Sequence, residues 1–311
     1  MTAVAQRPPP PTESGSDWKP RRTAIIAAVL VLPALVLVFL VKGAPILANF
    51  VVGFFEFRLT RPVPDAFVWF ENYQRMFGSG AFWAALGRTG ILAVSTISLQ
   101  FVIGFSIAIA LTKVGRLREL LSGLILLPMM IPSVVAALTW MLMYDPNFGV
   151  INYLMGAIGL PSNINWLGSS QTALLSVIIV ETWRNIPFVV LILSAGLVML
   201  PEEPFEAARI DGANRFQIFW YLTIPLMMPV ITLVLVIRFM DTLRAFDTIY
   251  ILTKGGPGQA TETASVHVYY AAFQHFNLGY GSVLAQTVFL VIVTVSVMLI
   301  FVSRSRQLYR T

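Results

Sequence analysis

The chain has 311 residues, of which 57% are apolar and only 12% are charged, and its mean hydropathy is +0.78. So few charges cannot cover the surface of a water-soluble protein of this length, and the composition therefore predicts an integral membrane protein. The net charge of +6 comes without the long basic run that nucleic-acid binding needs, and the absence of cysteine excludes disulfides, zinc–thiolate sites and iron–sulfur clusters.

Six apolar segments follow a polar N-terminal tail. A hydrocarbon core of about 30 Å needs roughly 20 helical residues. Residues 1–22 contain PPPP and little apolar surface, so we expect a disordered tail, and the first apolar segment lacks a small-residue cleavage site and should be retained. The segments predict an all-α membrane protein with a six-helix domain at residues 23–303 and a C-terminal tail at 304–311. The predicted spans are Thr23–Val41, Gly90–Leu111, Leu120–Tyr144, Thr172–Leu200, Leu226–Leu252 and Ser282–Val302.

Prolines interrupt two of these spans. Pro128 and Pro132 lie in the third, and Pro187 lies in the fourth. Each removes a backbone hydrogen bond, which membrane helices tolerate where neighbours or water satisfy the freed carbonyls. Such broken helices line a cavity in some proteins and are packed kinks in others, and both interpretations fit here.

Charged residues within the fourth and fifth spans need a reason, because each costs on the order of 3 kcal/mol on insertion scales. The fourth span carries Glu181 and Arg184 one turn apart, and the fifth carries an acidic and basic series three residues apart. One interpretation is that the charges pair and hold the bundle together. The other is a water-accessible path for a hydrophilic solute. The candidate path residues are Trp140, Tyr144, Trp183, Arg184, Asn185, Arg238, Asp241, Arg244, Asp247 and Tyr250.

A short polar segment at residues 201–225 separates the fourth and fifth spans. Glu202, Glu203 and Glu206 fall in the first turn of a predicted helix, where carboxylates favour the positive end of the helix dipole, and Gly212 predicts its end. Aromatic residues 216–221 then predict an interfacial surface, with Phe216, Phe219, Trp220 and Tyr221 as its members. A polar helix that lies against the membrane between two spans indicates a docking surface for a partner.

The glycine-rich LTKGGPG at Leu252–Gly258 predicts a tight turn at the outer mouth and not a phosphate-binding loop, because its lysine precedes the glycines. The chain has no Walker A motif. His267 and His275 have no carboxylate at metal-ligand spacing, so we expect ordinary loop histidines and no metal site. No catalytic arrangement stands in the spans, and an enzyme is disfavoured.

Lysine and arginine set the predicted orientation. With the N-terminus in the cytoplasm, twelve of the 21 basic residues fall on that side, six fall on the other, and Arg184, Arg238 and Arg244 fall inside spans. This bias places both termini and the 201–225 segment in the cytoplasm.

The segment from Glu206 resembles the EAA loop of the permease subunits of ATP-binding-cassette (ABC) importers. Glu206, Ala207 and Ala208 are followed by Asp211, Gly212 and Ala213, and Ile224 and Pro225 close the pattern, where the family more often has Leu before the proline. FENY at Phe70–Tyr73, the run Thr182–Ala213 and RAFDTIYILTKGGPG at Arg244–Gly258 are similar to the maltose and glycerol-phosphate type of first permease.

The resemblance implies a type I ABC importer permease in the bacterial inner membrane, carrying a sugar, polyol or sugar derivative by alternating access. It implies a second homologous permease, two ATPase subunits that bind ATP and Mg²⁺ and dock on the EAA loop, an external solute-binding protein, and no cofactor on this chain. The three intramembrane arginines leave an anionic sugar derivative open, although carboxylates balance them. The alternative is an ion-coupled secondary transporter in which Glu181, Asp241 and Asp247 carry protons.

Overall fold

A computed structural model describes residues 20–61, 63 and 66–308. The predicted N-terminal tail lies outside the described residues except for 20–22, and so do residues 309–311 of the predicted C-terminal tail. The chain divides into two units, residues 1–51 and residues 52–311.

The first unit is helical over its described part. Helix α1 spans Pro20–Val38, a wider π-helical turn covers Phe39–Gly43, and helix α2 spans Ala44–Val52. Its apolar span is Ala28–Val52, with a mean hydropathy of 2.4. The prediction that this span ends at Val41 is wrong. It treated Lys42 as a boundary, whereas the helix continues past that residue, and a long lysine side chain can carry its ammonium away from apolar surroundings.

The second unit begins with a small antiparallel pair of strands, β1 (Phe55–Glu56) and β2 (Ala66–Phe67), in which Phe55 lies opposite Phe67. Twelve helices, α3 to α14, account for most of its remaining described residues, with a short 3₁₀ turn at Gly115–Leu117 and π-helical turns at Phe219–Thr223 and Tyr270–Gln274. The helices α3 to α8 are Glu71–Phe77, Gly80–Leu111, Arg118–Met130, Ser133–Met143, Val150–Ala157 and Ala173–Val198. The helices α9 to α14 are Glu203–Ile210, Arg215–Ile218, Ile224–Leu243, Asp247–Thr253, Ala264–Tyr269 and Leu278–Leu308.

In the part of the chain that the structure describes, five single helical segments are long and apolar enough to cross a membrane, and a sixth is the bent pair α5 and α6 if that pair is one span. The second, fourth and sixth predicted spans match helices, although the second begins earlier, at Gly80, where the Ser79 hydroxyl accepts a hydrogen bond from Phe82 N. Helix α8 continues through Pro187 without a break, so the expected interruption there is wrong.

Two predicted spans are wrong in shape. The third is not one straight helix, because α5 and α6 meet at 90°. Ile131 is extended, with ψ of 127°, and proline disfavours helical geometry in the residue before it. The fifth does not reach Leu252, because α11 ends at Leu243 and the chain turns before α12 begins at Asp247.

The core of the second unit forms where α4 packs lengthwise against α8. Gly104 permits this contact, since a Cβ there would lie 2.8 Å from Val189 Cγ1. Around it, α11 and α14 supply further buried apolar side chains, among them Met227, Val234 and Leu284. The region between α4, α8 and α11 also contains buried polar and charged side chains.

Candidate functional site

One end of the second unit carries the segment 201–225, which forms the short helices α9 and α10. Pro204 and two glutamates, Glu203 and Glu206, stand in the first turn of α9. At its other end Gly212 has φ of +80°, a left-handed conformation that favours glycine, which confirms the predicted stop. Ala213 N donates to Ala208 O at 2.9 Å, and Gly212 N donates to Arg209 O at 3.2 Å. These two bonds define a Schellman cap, which fixes the end of α9.

The next turn of the same segment is fixed by a reciprocal cap that the sequence analysis missed. Gln217 N donates to Asn214 Oδ1 at 2.9 Å, and Asn214 N donates to Gln217 Oε1 at 2.8 Å. The signal was present as an Asn followed three residues later by a Gln. With a cap on each side of Gly212, α9 is held as a rigid unit on the bundle.

The two faces of α9 differ. Phe205, Glu206 and Arg209 line a hollow of about 1040 Å³ against the ends of α4 and α8. Ala207 and Ile210 lie on the other side and are exposed, Ile210 by 86%. Among the remaining candidate coupling residues, Asp211 and Gly212 are exposed, and Ala208 and Ala213 are partly buried. The helix therefore offers one free face to a partner.

The predicted interfacial aromatic surface is only partly correct. Phe216, Trp220 and Tyr221 are exposed, by 73%, 51% and 73%. Phe219 instead turns inward and packs edge-on against Phe105, with ring centroids 5.4 Å apart. The π-helical turn at Phe219–Thr223 changes the angular spacing of these side chains, which a regular helical period does not anticipate.

A second site, a polar cavity of about 490 Å³, lies between α6, α8, α11 and the chain leading into α12. Six of the candidate path residues line it. They are Arg184, Asn185, Arg238, Asp241, Arg244 and Asp247, and they are joined by Ser133, Glu181, Ala245, Phe246 and Thr248. The charged series of the fifth span thus meets at one cavity, although its members do not share one helix. Arg244 caps α11 and Asp247 starts α12.

Arg238 is the central cation of this cavity and is only 4% exposed. Its Nε donates to Gln100 Oε1 at 3.0 Å, and its Nη1 lies 3.3 Å from Asp241 Oδ2. Asp241 also binds Arg244, with Oδ1 at 3.0 Å from Nη2. One carboxylate therefore lies between two guanidinium groups and partly neutralises both.

Glu181 is the buried anion on the opposite wall, with 2% exposure. Its Oε2 accepts from Asn185 Nδ2 at 3.1 Å and lies 3.7 Å from Arg184 Nη2. Its backbone carbonyl accepts from Gln100 Nε2 at 3.0 Å. Gln100 consequently connects α4 to both charged helices, and the sequence analysis missed it. The signal was a single amide in the middle of an otherwise apolar span.

Four candidate path residues do not line the cavity. Tyr144 is 2% exposed and donates through its hydroxyl to Ser176 O at 3.2 Å, so it belongs to the core. Trp140 packs edge-on against Trp183, with centroids 5.5 Å apart. Tyr250 stacks on Phe246 at 5.0 Å and so stands one ring behind the cavity wall.

At the end of the bundle away from α9, the Leu252–Gly258 segment forms the predicted turn. Lys254, Gly255 and Gly258 all have positive φ. Burial is the largest cause that raises the pKa of Tyr270, so its hydroxyl stays protonated at neutral pH and donates to Lys254 O at 2.6 Å. His267 Nδ1 lies 2.5 Å from Glu262 Oε1. Among the described residues no group of three or more His, Cys, Asp or Glu is placed to hold a metal ion.

The fold and the two sites define a polytopic membrane transport protein with a polar cavity between its helices and a docking helix at one end. Residues 100–308 match the family model described as a binding-protein-dependent transport system inner membrane component. The chain belongs to this family, the permease subunits of ABC importers, which are not themselves enzymes. The predicted family and fold class are thereby confirmed, and the ion-coupled alternative is not favoured.

Relatives and a solved structure agree with this assignment. The trehalose/maltose transport system permease protein MalF of Thermococcus litoralis is 33% identical, over 92% of this chain and 96% of the relative. The sulfoquinovosyl glycerol transport system permease protein SmoG of Agrobacterium fabrum is 28% identical, over 93% and 94%. A chain of the bacterial alginate ABC transporter, solved in complex with alginate pentasaccharide-bound periplasmic protein, has a TM-score of 0.78 at 20% identity, over 93% of this chain and 97% of that one.

Proposed function

We propose that this chain is the membrane subunit through which an ATP-driven importer moves a sugar, polyol or sugar derivative. The names of the relatives support the carbohydrate class, since they refer to trehalose, maltose and sulfoquinovosyl glycerol. The polar lining of the cavity supports it too, because carboxylate, amide and guanidinium groups can all bond to hydroxyls.

The observation that carries the proposal is the position of α9 in the chain. It follows α8, which bears Glu181 and Arg184, and it precedes α11, which bears Arg238 and Asp241. Both of its ends are fixed, by Glu202 and Pro204 at the start and by the Schellman cap at the finish. A push on the free face of α9 therefore passes directly to the two helices that hold the cavity.

We expect two separate ATPase subunits to supply this push, because no lysine of the chain stands in a phosphate-loop context. ATP and Mg²⁺ would bind to those subunits and not to this chain. Glu206, Ala207, Ala208, Asp211, Gly212 and Ala213 would make or shape the contact. Closure of the ATPase pair would displace α9 and switch the cavity between its two openings, in an alternating-access cycle.

Two further partners complete the proposed importer. A second homologous permease would supply the other half of the solute path. An external solute-binding protein would deliver the solute, and the alginate transporter, which was solved with its solute-bound periplasmic protein, supports this role by analogy. The distribution of basic residues supports an orientation with the α9 end of the bundle and both termini in the cytoplasm.

The test is reconstitution of the whole importer, with its second permease, ATPase and binding protein, in liposomes. Glu206→Lys should abolish stimulation of ATP hydrolysis by the binding protein and abolish uptake. Glu119→Lys is the matched control, because Glu119 is an exposed carboxylate in the first turn of α5, outside α9, and it should leave both nearly unchanged. Normal uptake by the Glu206→Lys importer would contradict the proposed coupling role.

A further inference from the structure

The cavity contains a buried acceptor and a buried donor that the protein leaves unused. Glu181 Oε1 and Arg184 Nε are both shielded from solvent, and neither has a hydrogen-bond partner among the residues that the structure describes. An unsatisfied buried polar atom costs about 1–3 kcal/mol, more if it is charged, so native proteins keep few of them. Two such atoms on side chains only 3.7 Å apart, both lining one cavity, need an explanation.

The surroundings of Glu181 show that its free oxygen is not an accident of a loosely held side chain. The backbone carbonyl of this residue is held by Gln100 and by Asn185 Nδ2, at 3.0 Å and 2.8 Å. The side chain is 3% exposed, and only one of its two oxygens is bonded. The terminal torsion of a glutamate has a broad energy minimum. The carboxylate can therefore turn its free oxygen toward the cavity while the backbone stays fixed.

We infer that Glu181 and Arg184 recognise a hydroxyl-bearing part of the solute and so determine specificity for an uncharged solute; this inference rests on the proposed function. A hydroxyl group both donates and accepts. A solute hydroxyl can donate to Glu181 Oε1, and the same hydroxyl or its neighbour can accept from Arg184 Nε. No covalent step is involved.

The charges around the cavity determine which solutes are rejected. Arg184, Arg238 and Arg244 face three carboxylates, Glu181, Asp241 and Asp247, so the lining has no net charge. Asp241 already lies against both Arg238 and Arg244. A carboxylate, phosphate or sulfonate on the solute would have to displace Asp241 or approach Glu181, and a juxtaposition of like charges costs several kcal/mol.

The experiment compares neutral solutes with anionic counterparts of the same skeleton in the reconstituted importer. Maltose and trehalose are the neutral probes, and maltobionate and trehalose 6-phosphate are the anionic ones. Wild-type importer should prefer the neutral member of each pair. Glu181→Gln removes the charge and keeps the shape, and it should raise KM for the neutral solute by about tenfold or more, the value of a hydrogen bond to a charged group. It should also reduce the preference for neutral over anionic solute.

Two further variants separate recognition from structure. Glu181→Asp keeps the charge and should retain the preference for the neutral probe, even where it lowers the transport rate. Glu71→Gln, an exposed carboxylate on α3, removes the same charge outside the cavity and should change neither KM nor preference. A purely structural role for Glu181 would lower the amount of folded importer and the rate for all solutes alike, without a change in the neutral-to-anionic ratio.

The outcomes distinguish this inference from the function on which it rests. ATP-driven uptake in which Glu181→Gln leaves KM and the ratio unchanged would overturn the inference alone. A wild-type preference for the anionic probes would overturn it too. Failure of every probe to move with ATP would instead count against the proposed function.

Discussion

Gln100 and Arg238 face each other across α4 and α11, and the Arg238 Nε–H donates to the Gln100 side-chain carbonyl at 3.0 Å. The other end of the same amide donates to the backbone carbonyl of Glu181 on α8. One uncharged side chain, which is fully buried, thus connects the two charged walls of the cavity. The two interpretations of the intramembrane charges are therefore compatible, because the network that joins the helices also borders the cavity.

Replacement of Gln100 by leucine should destabilise the bundle by about 2 kcal/mol, because Arg238 would stay buried with one partner fewer. The measurement is thermal unfolding of the intact importer in detergent. Gln74→Leu is the matched control, because Gln74 is exposed on α3 and the same substitution there should cost little. Equal unfolding temperatures for the two variants would show that the amide bridge contributes nothing.

Close packing of α4 on α8 gives a second prediction. A Cβ at Gly104 would lie 2.8 Å from Val189 Cγ1, whereas a Cβ at Gly90, earlier on the same helix, would meet nothing within 4 Å. Gly104→Ala should therefore destabilise the protein by about 1–3 kcal/mol through overpacking, and Gly90→Ala should be neutral or slightly stabilising. Thermal unfolding of the two variants checks this, and similar values would contradict the close contact between the two helices at Gly104.

The sequence predicted the helices best where an apolar run ends at a strong signal. Both the Leu111 end of α4 and the limits of α8 lie within two residues of the predicted ones. The end of α11 was missed, because residues 244–252 remain apolar enough to continue a span. The break before Asp247 depends on the tertiary position of Arg244 in the cavity. Hydropathy reports only that a residue is compatible with the membrane.

The cavity was predictable in its charges and not in its outline. The cost of an intramembrane charge singles out Glu181, Arg184, Arg238 and Asp241 from the sequence alone. The aromatic candidates were chosen because rings suit a solute path, yet a buried ring serves a core equally well, as Tyr144 does. Periodicity along a single helix cannot decide between these roles, since the choice depends on which helices are neighbours.

The absence of cysteine allows a clean test of topology. Single cysteines can be placed at Arg116 and Asp211, at the α9 end, and at Asn147 and Gln259, at the other end. The proposed orientation predicts that a membrane-impermeant maleimide labels the last two in intact cells, and the first two only after permeabilisation. Labelling of positions 116 and 147 from the same side would show that the bent pair α5 and α6 enters and leaves the membrane on one face.

The cap at Gly212 gives the last prediction, since it separates the shape of α9 from the stability of the bundle. A Cβ at this position would meet nothing within 4 Å, so a substitution there affects only the backbone, whose φ is +80°. Gly212→Val should cost about 1–2 kcal/mol locally and shift α9, whereas Gly212→Asn, which tolerates left-handed geometry, should cost less. We expect the valine variant to lose most of the stimulation of ATP hydrolysis by the binding protein while its thermal unfolding changes little, and the asparagine variant to keep it. Full stimulation in the valine variant would mean that coupling does not require the fixed end of α9.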